Sequence, residues 1–250
     1  MKFLDVYNLG FFHKALYEKV LLENDQFYFK LLDGKISFAV LLILGAVIAS
    51  YLIGSLNFGI IISKFYGKDV RDGGSGNAGT TNMTRQFGKK AGVLTFIGDF
   101  LKALLMTIIG IMVFGRLGGL VAGLFCIIGH AFPIYFKFRG GKGVACVTAV
   151  ILLTSPISFF ILMLIYAILI FGFKMVSFAS VMTVLIYPFI IAKIEYKGLG
   201  PAFLVAMVIS LLIIFLHRQN IVRIFNHTES KITFGNNNKN KENNNEDSKK

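Results

Sequence analysis

One segment between two apolar stretches combines glycines, neutral hydrogen-bond donors and an arginine. It reads Gly73-Gly-Ser-Gly-Asn-Ala-Gly-Thr-Thr-Asn-Met-Thr-Arg85. Glycines let the backbone approach a ligand closely and turn its N–H groups toward an anion, and a guanidinium suits phosphate. The pattern predicts a phosphate-binding loop, with a flexible linker between helices as the alternative. It is not a Walker loop, because no Gly-Lys-Ser/Thr sequence follows.

A second segment places a lysine among glycines at the start of an apolar stretch. Gly129-His-Ala-Phe-Pro133 is followed by Lys137-Phe-Arg-Gly-Gly-Lys-Gly143. The N–H groups at a helix start, the positive end of the helix dipole and an ammonium together favour phosphate. The alternative is a basic loop that only sets membrane topology. The histidine at position 130 suits either a general base or a packed helix end.

Two further groups of polar residues border or interrupt apolar stretches. His217 and Asn220 share one helix face where the last stretch ends, although a basic cap at the membrane surface would look the same. Asp99 and Lys102 lie three residues apart inside an apolar stretch. Ionisable groups are costly there unless they pair, so we expect a local ion pair beside a polar cavity rather than a catalytic pair.

Long apolar stretches must position these groups. Hydrophobic residues form 55% of the 250, and the mean hydropathy is +0.70. Stretches of about 18 or more apolar residues predict spanning helices. The sequence therefore predicts an all-α integral membrane protein, a polytopic bundle of about seven transmembrane helical segments. The predicted segments are 38–62, 91–114, 117–136, two within 144–173, 175–192 and 201–216.

The stretch 144–173 is the uncertain part of this count. As one helix it would be about 45 Å long, against a hydrocarbon core of about 30 Å. A break at Ser155-Pro156 gives two helices, which can be short, because proline interrupts a helix but starts one well. With seven crossings and the N-terminus outside, the cytoplasmic segments carry about twice as many Lys and Arg as the outer ones. This charge bias predicts a cytoplasmic C-terminus.

The ends of the chain and its charge suggest little chemistry. Residues 1–35 form an N-terminal extension, possible as an amphipathic surface helix, and residues 36–234 are the predicted membrane domain. The Asn/Lys-rich tail 235–250 is predicted to be disordered. The net charge of +13 is attributed to topology and to anionic lipid or substrate, with no nucleic acid as partner. Cys126 and Cys146 have no metal or disulfide spacing.

Taken together, the motifs resemble the PlsY family, the bacterial acyl-phosphate:glycerol-3-phosphate acyltransferases. The likeness runs from about residue 50 to residue 232. The matching motifs, in chain order, are Gly54-Ser-x-x-Phe-Gly59, Gly74-Ser-Gly-Asn-x-Gly-x-Thr-Asn-x-x-Arg85, Asp99-x-x-Lys102, Gly129-His-x-Phe-Pro133, Phe138-x-Gly-Gly-Lys-Gly-Val144, His217-x-x-Asn-Ile-x-Arg223 and Thr228-Glu-x-Lys231.

The resemblance implies one cytoplasmic active site formed by three motifs in a bacterial plasma membrane. The expected reaction moves a fatty acyl group from acyl phosphate to the 1-hydroxyl of glycerol 3-phosphate, the first step of phospholipid synthesis, with no cofactor and no metal. The expected catalytic residues are Ser75, Arg85, Lys142, His217 and Asn220. The expected substrate-binding residues are Gly74, Gly76, Asn77, Gly79, Thr81, Asn82, His130, Gly140, Gly141 and Gly143. The expected structural residues are Asp99, Lys102 and Glu229.

The chain departs from the family pattern in a few places. Thr80, Ala103, Arg139, Cys146 and His227 stand where alanine, glycine, lysine, threonine and glycine are usual. Only His227 affects a motif, because it alters the approach to Glu229. The resemblance also implies a monomer, the lipid bilayer as partner and a functional link to an enzyme that makes acyl phosphate.

Two other classes of protein remain as hypotheses from the sequence. A transporter for a phosphorylated solute would explain basic loops and glycine-rich segments. It predicts inverted repeats and substrate groups near the middle of the bilayer, whereas the chain has no internal repeat and its polar motifs fall at one predicted face. A structural membrane partner would leave the ordered motifs without explanation.

Overall fold

A computed structural model describes residues 34–194 and 198–232 of the chain. The predicted amphipathic extension, apart from its last two residues, and the predicted disordered tail lie outside these residues. The described part is helical. Its helices are α1 Gly34–Gly54, α2 Phe58–Phe65, α3 Thr80–Ala131, α4 Val144–Thr154, α5 Pro156–Phe173, α6 Val176–Ile194, α7 Pro201–Leu216 and α8 Arg218–Phe225, with 3₁₀ turns at Val70–Asp72 and Ile134–Phe136.

The first predicted helix is broken. α1 ends at Gly54 and α2 begins at Phe58, so the stretch 38–62 is not continuous. Asn57 caps α2, since its side-chain oxygen accepts a hydrogen bond from the N–H of Ile60. The prediction of one uninterrupted helix was wrong at residues 55–57. Nevertheless, Val40–Phe65 as a whole is long and apolar enough to cross a membrane.

α3 is one long run of helix with two interruptions. Gly88 has a φ of 86°, and a sharp turn follows at Phe114 and Gly115, where the φ of Gly115 is 60°. The turn folds residues 116–131 back along residues 89–113. A side chain at Gly110 would collide with the carbonyl of Gly118, and one at Gly118 with that of Gly110. The predicted segments 91–114 and 117–136 are therefore observed as two arms of α3, although the second helical arm ends at Ala131 rather than at residue 136.

The break at Ser155 is also observed. α4 ends at Thr154, and Pro156 is the first residue of α5. Proline has no N–H to contribute at a helix start and its fixed φ suits that position. α4 has 11 residues, which is about 16 Å of helix and roughly half the hydrocarbon core. α4 is therefore a short helix, as the sequence analysis expected could occur within the stretch 144–173.

Close helix contacts form the core around residues 116–131, the arm of α3 that folds back. The carbonyl of Cys126 lies where a Cβ on Gly54 would stand, and the side chain of Val150 lies against Gly123. Small residues of this kind let helix backbones approach closely in a membrane. The same core contains large buried side chains from several helices; they include Leu120, Ile127, Val150, Tyr187, Ile191, Ile209 and Ile213.

Apolar side chains cover the outside of the bundle. Leu164, Ile168 and Phe171 of α5 are more than 60% exposed, which in water would be an aggregation hazard and in a bilayer is a lipid contact. Among the described residues, four helices are long and apolar enough to cross a membrane, and five if α7 and α8 count as one bent span. The long α3 is one of the four. The chain is an all-helical membrane protein.

Candidate functional site

One cavity of about 850 Å³ collects residues from all three polar motifs. The loop before α3, the loop before α4 and the segment from α7 to residue 232 all contribute to its wall. Phe96 of α3, with Tyr166 and Ile170 of α5, extends the wall into the apolar part of the bundle. The cavity therefore has a polar, basic end and an apolar side.

The loop before α3, residues 66–79 and here called the first loop, is shaped by one amide. The buried Asn82 donates hydrogen bonds to the carbonyls of Val70, Gly73 and Asn77 at 3.0–3.1 Å. Its oxygen accepts the N–H of Ser75 at 3.0 Å. Asn82 lines the cavity, but these bonds occupy its polar atoms. Its geometry is that of a residue that holds the loop rather than one that holds a ligand.

Two residues that the sequence analysis missed reinforce the first loop. Gln86 donates to the carbonyls of Val70 and Gly73 at 2.8 and 3.0 Å. Arg71 pairs with Asp69 at 2.7 Å and donates to the carbonyl of Phe136 at 2.8 Å, which links the first loop to the region before α4. Gln86 follows Asn82 by four residues and so shares its helix face, a signal that was present in the sequence.

The first loop leads directly into the N-terminus of α3 at the cavity wall. Gly79, Thr80 and Thr81 line the cavity at this helix start. Helix starts carry N–H groups without intrahelical acceptors and a partial positive charge, so they bind anions. Ser75 and Arg85 line the same wall. Among the described residues, none forms a hydrogen bond or ion pair with the Arg85 guanidinium, which leaves its donors for an anion.

The loop before α4, residues 137–143 and here called the second loop, differs in its use of backbone N–H groups. The N–H of Gly140 donates to the carbonyl of Ala131, and the N–H of Gly141 donates to that of His130, both at 3.1 Å. Neither glycine lines the cavity. Lys142, Gly143 and the first residues of α4 do, and Gly143 has a φ of 77° that favours glycine.

A chain of hydrogen bonds holds Lys142 from the C-terminal motif. Its ammonium donates to the Asn220 oxygen at 2.5 Å, and the Asn220 amide donates to Glu229 at 2.8 Å. Glu229 also accepts from Ser177 and from Arg223, both at 2.7 Å. We call this set, Lys142–Asn220–Glu229 with Ser177 and Arg223, the relay. Ser177 was not identified from the sequence, where an isolated serine carries no signal.

The relay has consistent charge states. Burial, together with the nearby charges of Arg223 and Arg85, lowers the pKa of Lys142 to about 8 despite the opposing charge of Glu229. For Glu229, burial raises the pKa, but hydrogen bonds from Ser177, Arg223 and Asn220 outweigh it, so the net pKa is lowered. Glu229 is thus an anion at neutral pH, while Lys142 is a cation that is unusually easy to deprotonate.

His217 ends α7 at the cavity wall. Its Nδ1 lies 2.8 Å from the carbonyl of Ile213. A carbonyl oxygen only accepts, so Nδ1 carries the proton of the neutral ring and Nε2 keeps a lone pair. Burial lowers the pKa of His217 to about 4. The ring is therefore neutral at pH 7 and chemically able to accept a proton.

The expected ion pair of Asp99 and Lys102 is observed at 2.8 Å, buried beneath the two loops. His130 joins it, with Nδ1 3.2 Å from the same Asp99 oxygen. Asp99 and His130 reach the cavity wall and Lys102 does not. Within the described residues, no group of three or more His, Cys, Asp or Glu side chains is placed to hold a metal ion.

Most of the predicted site residues therefore meet at one place. Those that line the cavity are Gly74, Ser75, Asn77, Gly79, Thr81, Asn82, Arg85, Asp99, His130, Lys142, Gly143, His217, Asn220 and Glu229. Those that do not are Gly76, Gly140, Gly141 and Lys102. Side chains of Phe96, Tyr166, Ser177 and Arg223 line it without having been predicted. Their roles depend on the reaction.

Comparisons with known proteins agree with this architecture. The sequence model of a family described as Glycerol-3-phosphate acyltransferase matches residues 44–227. A protein of that name from Finegoldia magna is 40% identical over 201 residues, covering 78% of this chain and 98% of the relative. Another from Exiguobacterium sibiricum is 38% identical over 194 residues, covering 76% and 93%.

Two solved structures are also similar. Both are crystal structures of PlsY (YgiH), an integral membrane glycerol 3-phosphate acyltransferase. The glycerol 3-phosphate form is 37% identical with a TM-score of 0.73, and covers 76% of this chain and 96% of that one. The lysophosphatidic acid form is 36% identical with a TM-score of 0.70, and covers 76% and 95%.

Proposed function

Because this chain belongs to the glycerol-3-phosphate acyltransferase family, we propose that it transfers a fatty acyl group from acyl phosphate to the 1-hydroxyl of glycerol 3-phosphate. The hydroxyl oxygen bonds to the acyl carbon, and the bond from that carbon to the phosphate oxygen breaks. The products are 1-acyl-glycerol 3-phosphate and inorganic phosphate. The donor is already an activated mixed anhydride, so the balance requires neither an oxidant nor a cofactor.

The observation that carries the proposal is the pairing of two cationic helix starts in one cavity. Arg85 and the N-terminus of α3 lie on one part of the wall, and Lys142 and the N-terminus of α4 on another. The positive charge of Arg85 helps to lower the pKa of Lys142, so the two cations lie close enough to interact electrostatically. Two anionic substrates that repel each other need this arrangement to react.

The first loop is the proposed donor site. Ser75, Arg85 and the start of α3 bind the phosphate of acyl phosphate, and Arg85 stabilises the charge that develops on it as it leaves. The acyl chain extends along the apolar side of the cavity, where Phe96 and Tyr166 stand. The neutral donors of Gly74, Asn77, Gly79 and Thr81 belong to this site. Gly76 contributes to the shape of the loop, because its N–H is bonded to the carbonyl of Gly73, and Asn82 holds that shape.

The second loop is the proposed acceptor site. Lys142, Gly143 and the start of α4 bind the phosphate of glycerol 3-phosphate. Gly140 and Gly141 contribute by fixing the loop against the end of α3, since their N–H groups are already bonded. Asn220 and Glu229 hold the ammonium in place.

The hydroxyl proton has three candidate acceptors: His217, His130 and the phosphate of the substrate itself. His217 is neutral with a free ring nitrogen, as a general base requires. His130 has its Nδ1 committed to the buried ion pair. Measurement of kcat across pH for the His217→Gln variant distinguishes a general base from a residue that only binds substrate.

The proposed setting is a bacterial plasma membrane crossed by seven helical segments. The N-terminus lies outside, and the C-terminus and the active site face the cytoplasm, as the bias of Lys and Arg favours. The protein acts as a monomer and receives acyl phosphate from the enzyme that makes it. A reporter fused after Lys250 that is active only in the cytoplasm supports this topology, and one active outside contradicts it.

The reaction is tested with detergent-purified protein, acyl phosphate and radiolabelled glycerol 3-phosphate. Lysophosphatidate is the expected product, and acyl-CoA is expected not to replace the donor. Arg85→Gln is expected to lower kcat/KM by about 10²–10³-fold. Arg218→Gln is the matched control, because Arg218 lies outside the cavity and stacks on Phe215. No product from the wild-type protein would contradict the proposal.

A further inference from the structure

The buried pair Asp99–Lys102 lies where two helix ends meet. α1 ends at Gly54 and α2 begins at Phe58, so the last carbonyls of one helix and the first N–H groups of the next lack helical partners. Lys102 donates to the carbonyls of Gly54 and Leu56 at 2.8 and 2.7 Å. Inside a membrane such carbonyls must be satisfied within the protein.

Asp99 completes the same junction with the opposite charge. Its carboxylate accepts the N–H of Phe58, the first residue of α2, at 3.4 Å. A cation thus stands at the C-terminal end of α1 and an anion at the N-terminal end of α2, which is the favourable sign at both ends. Asp99 and Lys102 thus provide partners for backbone groups at the break at residues 55–57, and their two charges pair with each other.

His130 connects this junction to the second loop. Its Nδ1 contacts Asp99 at 3.2 Å and Lys102 at 3.1 Å, and Asn57 lies 3.4 Å from the same nitrogen. On the other side, its carbonyl accepts the N–H of Gly141 at 3.1 Å. The Nε2 atom stands where a Cβ on Gly141 would be. Imidazole and loop backbone are therefore packed directly against each other.

We propose that Asp99, Lys102 and His130 form a positioning cluster that fixes the second loop, and with it Lys142, against the break between α1 and α2. This deepens the proposed function, because it rests on Lys142 as the cation of the acceptor site. The cluster acts on the bound glycerol 3-phosphate through the loop and needs no contact with the reacting atoms. The first loop takes its shape mainly from Asn82 and Gln86, and Arg71 joins it to the carbonyls of Phe136 and Arg139.

A double-mutant cycle between His130 and Gly141 tests the proposal. Gly141→Ala places a methyl group against the imidazole, and we expect KM for glycerol 3-phosphate to rise at least tenfold while KM for acyl phosphate stays within twofold. His130→Asn keeps an amide beside Asp99 but removes the ring, and a several-fold rise is expected. The double variant should be no worse than Gly141→Ala alone, since the methyl group then has room.

Gly123→Ala is the matched control, because a Cβ there meets the Val150 side chain in the core, away from the cavity. It should lower the thermal midpoint in detergent and leave both KM values unchanged. Multiplying effects in the double variant, or equal changes in both KM values, would overturn the positioning role. If the wild-type protein makes no lysophosphatidate, the proposed function fails instead, so the two failures are distinguishable.

Discussion

The first and second loops are both glycine-rich, both precede a helix, and both lie beside a cation that lines the cavity, yet they are held in different ways. The first loop is shaped by Asn82 and Gln86, which follow it directly in the chain. The second loop depends on other helices: Lys142 is bonded to Asn220 of α8, 78 residues away, and Gly141 to the end of α3.

This difference has a physical consequence for the two cations. Arg85 forms no hydrogen bond or ion pair with another described residue. Lys142 is buried and held by the relay, so its charge depends on its surroundings. One loop is held by side chains that follow it closely in the chain, and the other is a tertiary assembly whose cation has a lowered pKa.

The largest expected effect comes from the amide that shapes the first loop. Asn82→Asp places a carboxylate oxygen against the carbonyls of Val70, Gly73 and Asn77, which now receive donors. The carbonyls of Val70 and Gly73 keep Gln86 as a donor, but that of Asn77 loses its donor and all three then face a negative charge. Together these changes cost about 3 kcal/mol, so kcat/KM for acyl phosphate should fall about a hundredfold. Steady-state kinetics with varied acyl phosphate measure this.

Thr84→Val is the control for this variant. Thr84 lies on the same helix, but its hydroxyl bonds only to the carbonyl of Thr80 in that helix. Its kinetics should stay within about twofold of wild type. If Asn82→Asp instead raised only KM for glycerol 3-phosphate, the assignment of the first loop to the donor would be wrong.

The next effect is a pH dependence carried by the second loop. The pKa of Lys142 is lowered to about 8, so the ammonium is charged below that pH and neutral above it. A phosphate monoester is already dianionic there, with a second pKa of about 6. Hence kcat/KM for glycerol 3-phosphate should fall about tenfold per pH unit above about 8.

Lys142→Arg keeps the cation throughout this range. Its absolute activity is expected to be lower, because a planar guanidinium does not reproduce the contact with Asn220. Its profile should nevertheless be flat between pH 7 and pH 9, over the interval set by the lowered Lys142 pKa. An alkaline decline that persists unchanged in the arginine variant would assign the titration to another group.

A smaller effect should come from the far end of the relay. Ser177→Ala removes one of the hydrogen bonds to Glu229 and leaves those from Asn220 and Arg223. A single bond to a charged acceptor contributes about 1.5–3 kcal/mol, part of which the remaining donors recover. We expect KM for glycerol 3-phosphate to rise about threefold to tenfold and KM for acyl phosphate to be unchanged.

Ser210→Ala is the comparison, because this buried serine also bonds across helices, to the carbonyl of Val184. It should affect the thermal midpoint without a change in either KM. A selective rise in KM for the acceptor with Ser177→Ala, and none with Ser210→Ala, separates the relay from general destabilisation. Identical kinetics in the two variants would detach Ser177 from Lys142.

The smallest expected effect concerns His227, where the family usually has glycine. Its φ is 56°, in the left-handed region, at the turn that follows α8. A residue with a side chain costs about 1–2 kcal/mol in this backbone region. Glycine removes that cost, but part of the gain is lost because glycine has greater conformational freedom in the unfolded chain. His227→Gly should raise the unfolding free energy by up to about 1 kcal/mol, with His227→Ala as the control that keeps the strain.

The contacts of Glu229 persist despite this residue. Glu229 still accepts from Ser177, Asn220 and Arg223, so the substitution alters the cost of the turn and not its form. Kinetic constants in His227→Gly should equal those of wild type. A large change in KM for glycerol 3-phosphate would mean that the turn geometry itself tunes the relay.

Local signals explain which breaks were predictable. Pro156 imposes a helix start by its own ring, and the sequence therefore predicted the division between α4 and α5. The break between α1 and α2 has no proline. Its free carbonyls are satisfied by Lys102, 48 and 46 residues away from their acceptors, and no local pattern announces that contact.

The sequence by itself determined the helical membrane class, the order of the apolar segments and the residue types that meet at the cavity. These follow from hydropathy, proline and glycine within a few residues of each position. Only the tertiary structure decided that the N–H groups of Gly140 and Gly141 bond to carbonyls of α3 and that burial lowers the pKa of Lys142. Hydrogen-bond satisfaction and desolvation depend on which segments pack nearby, and no local sequence pattern specifies that packing.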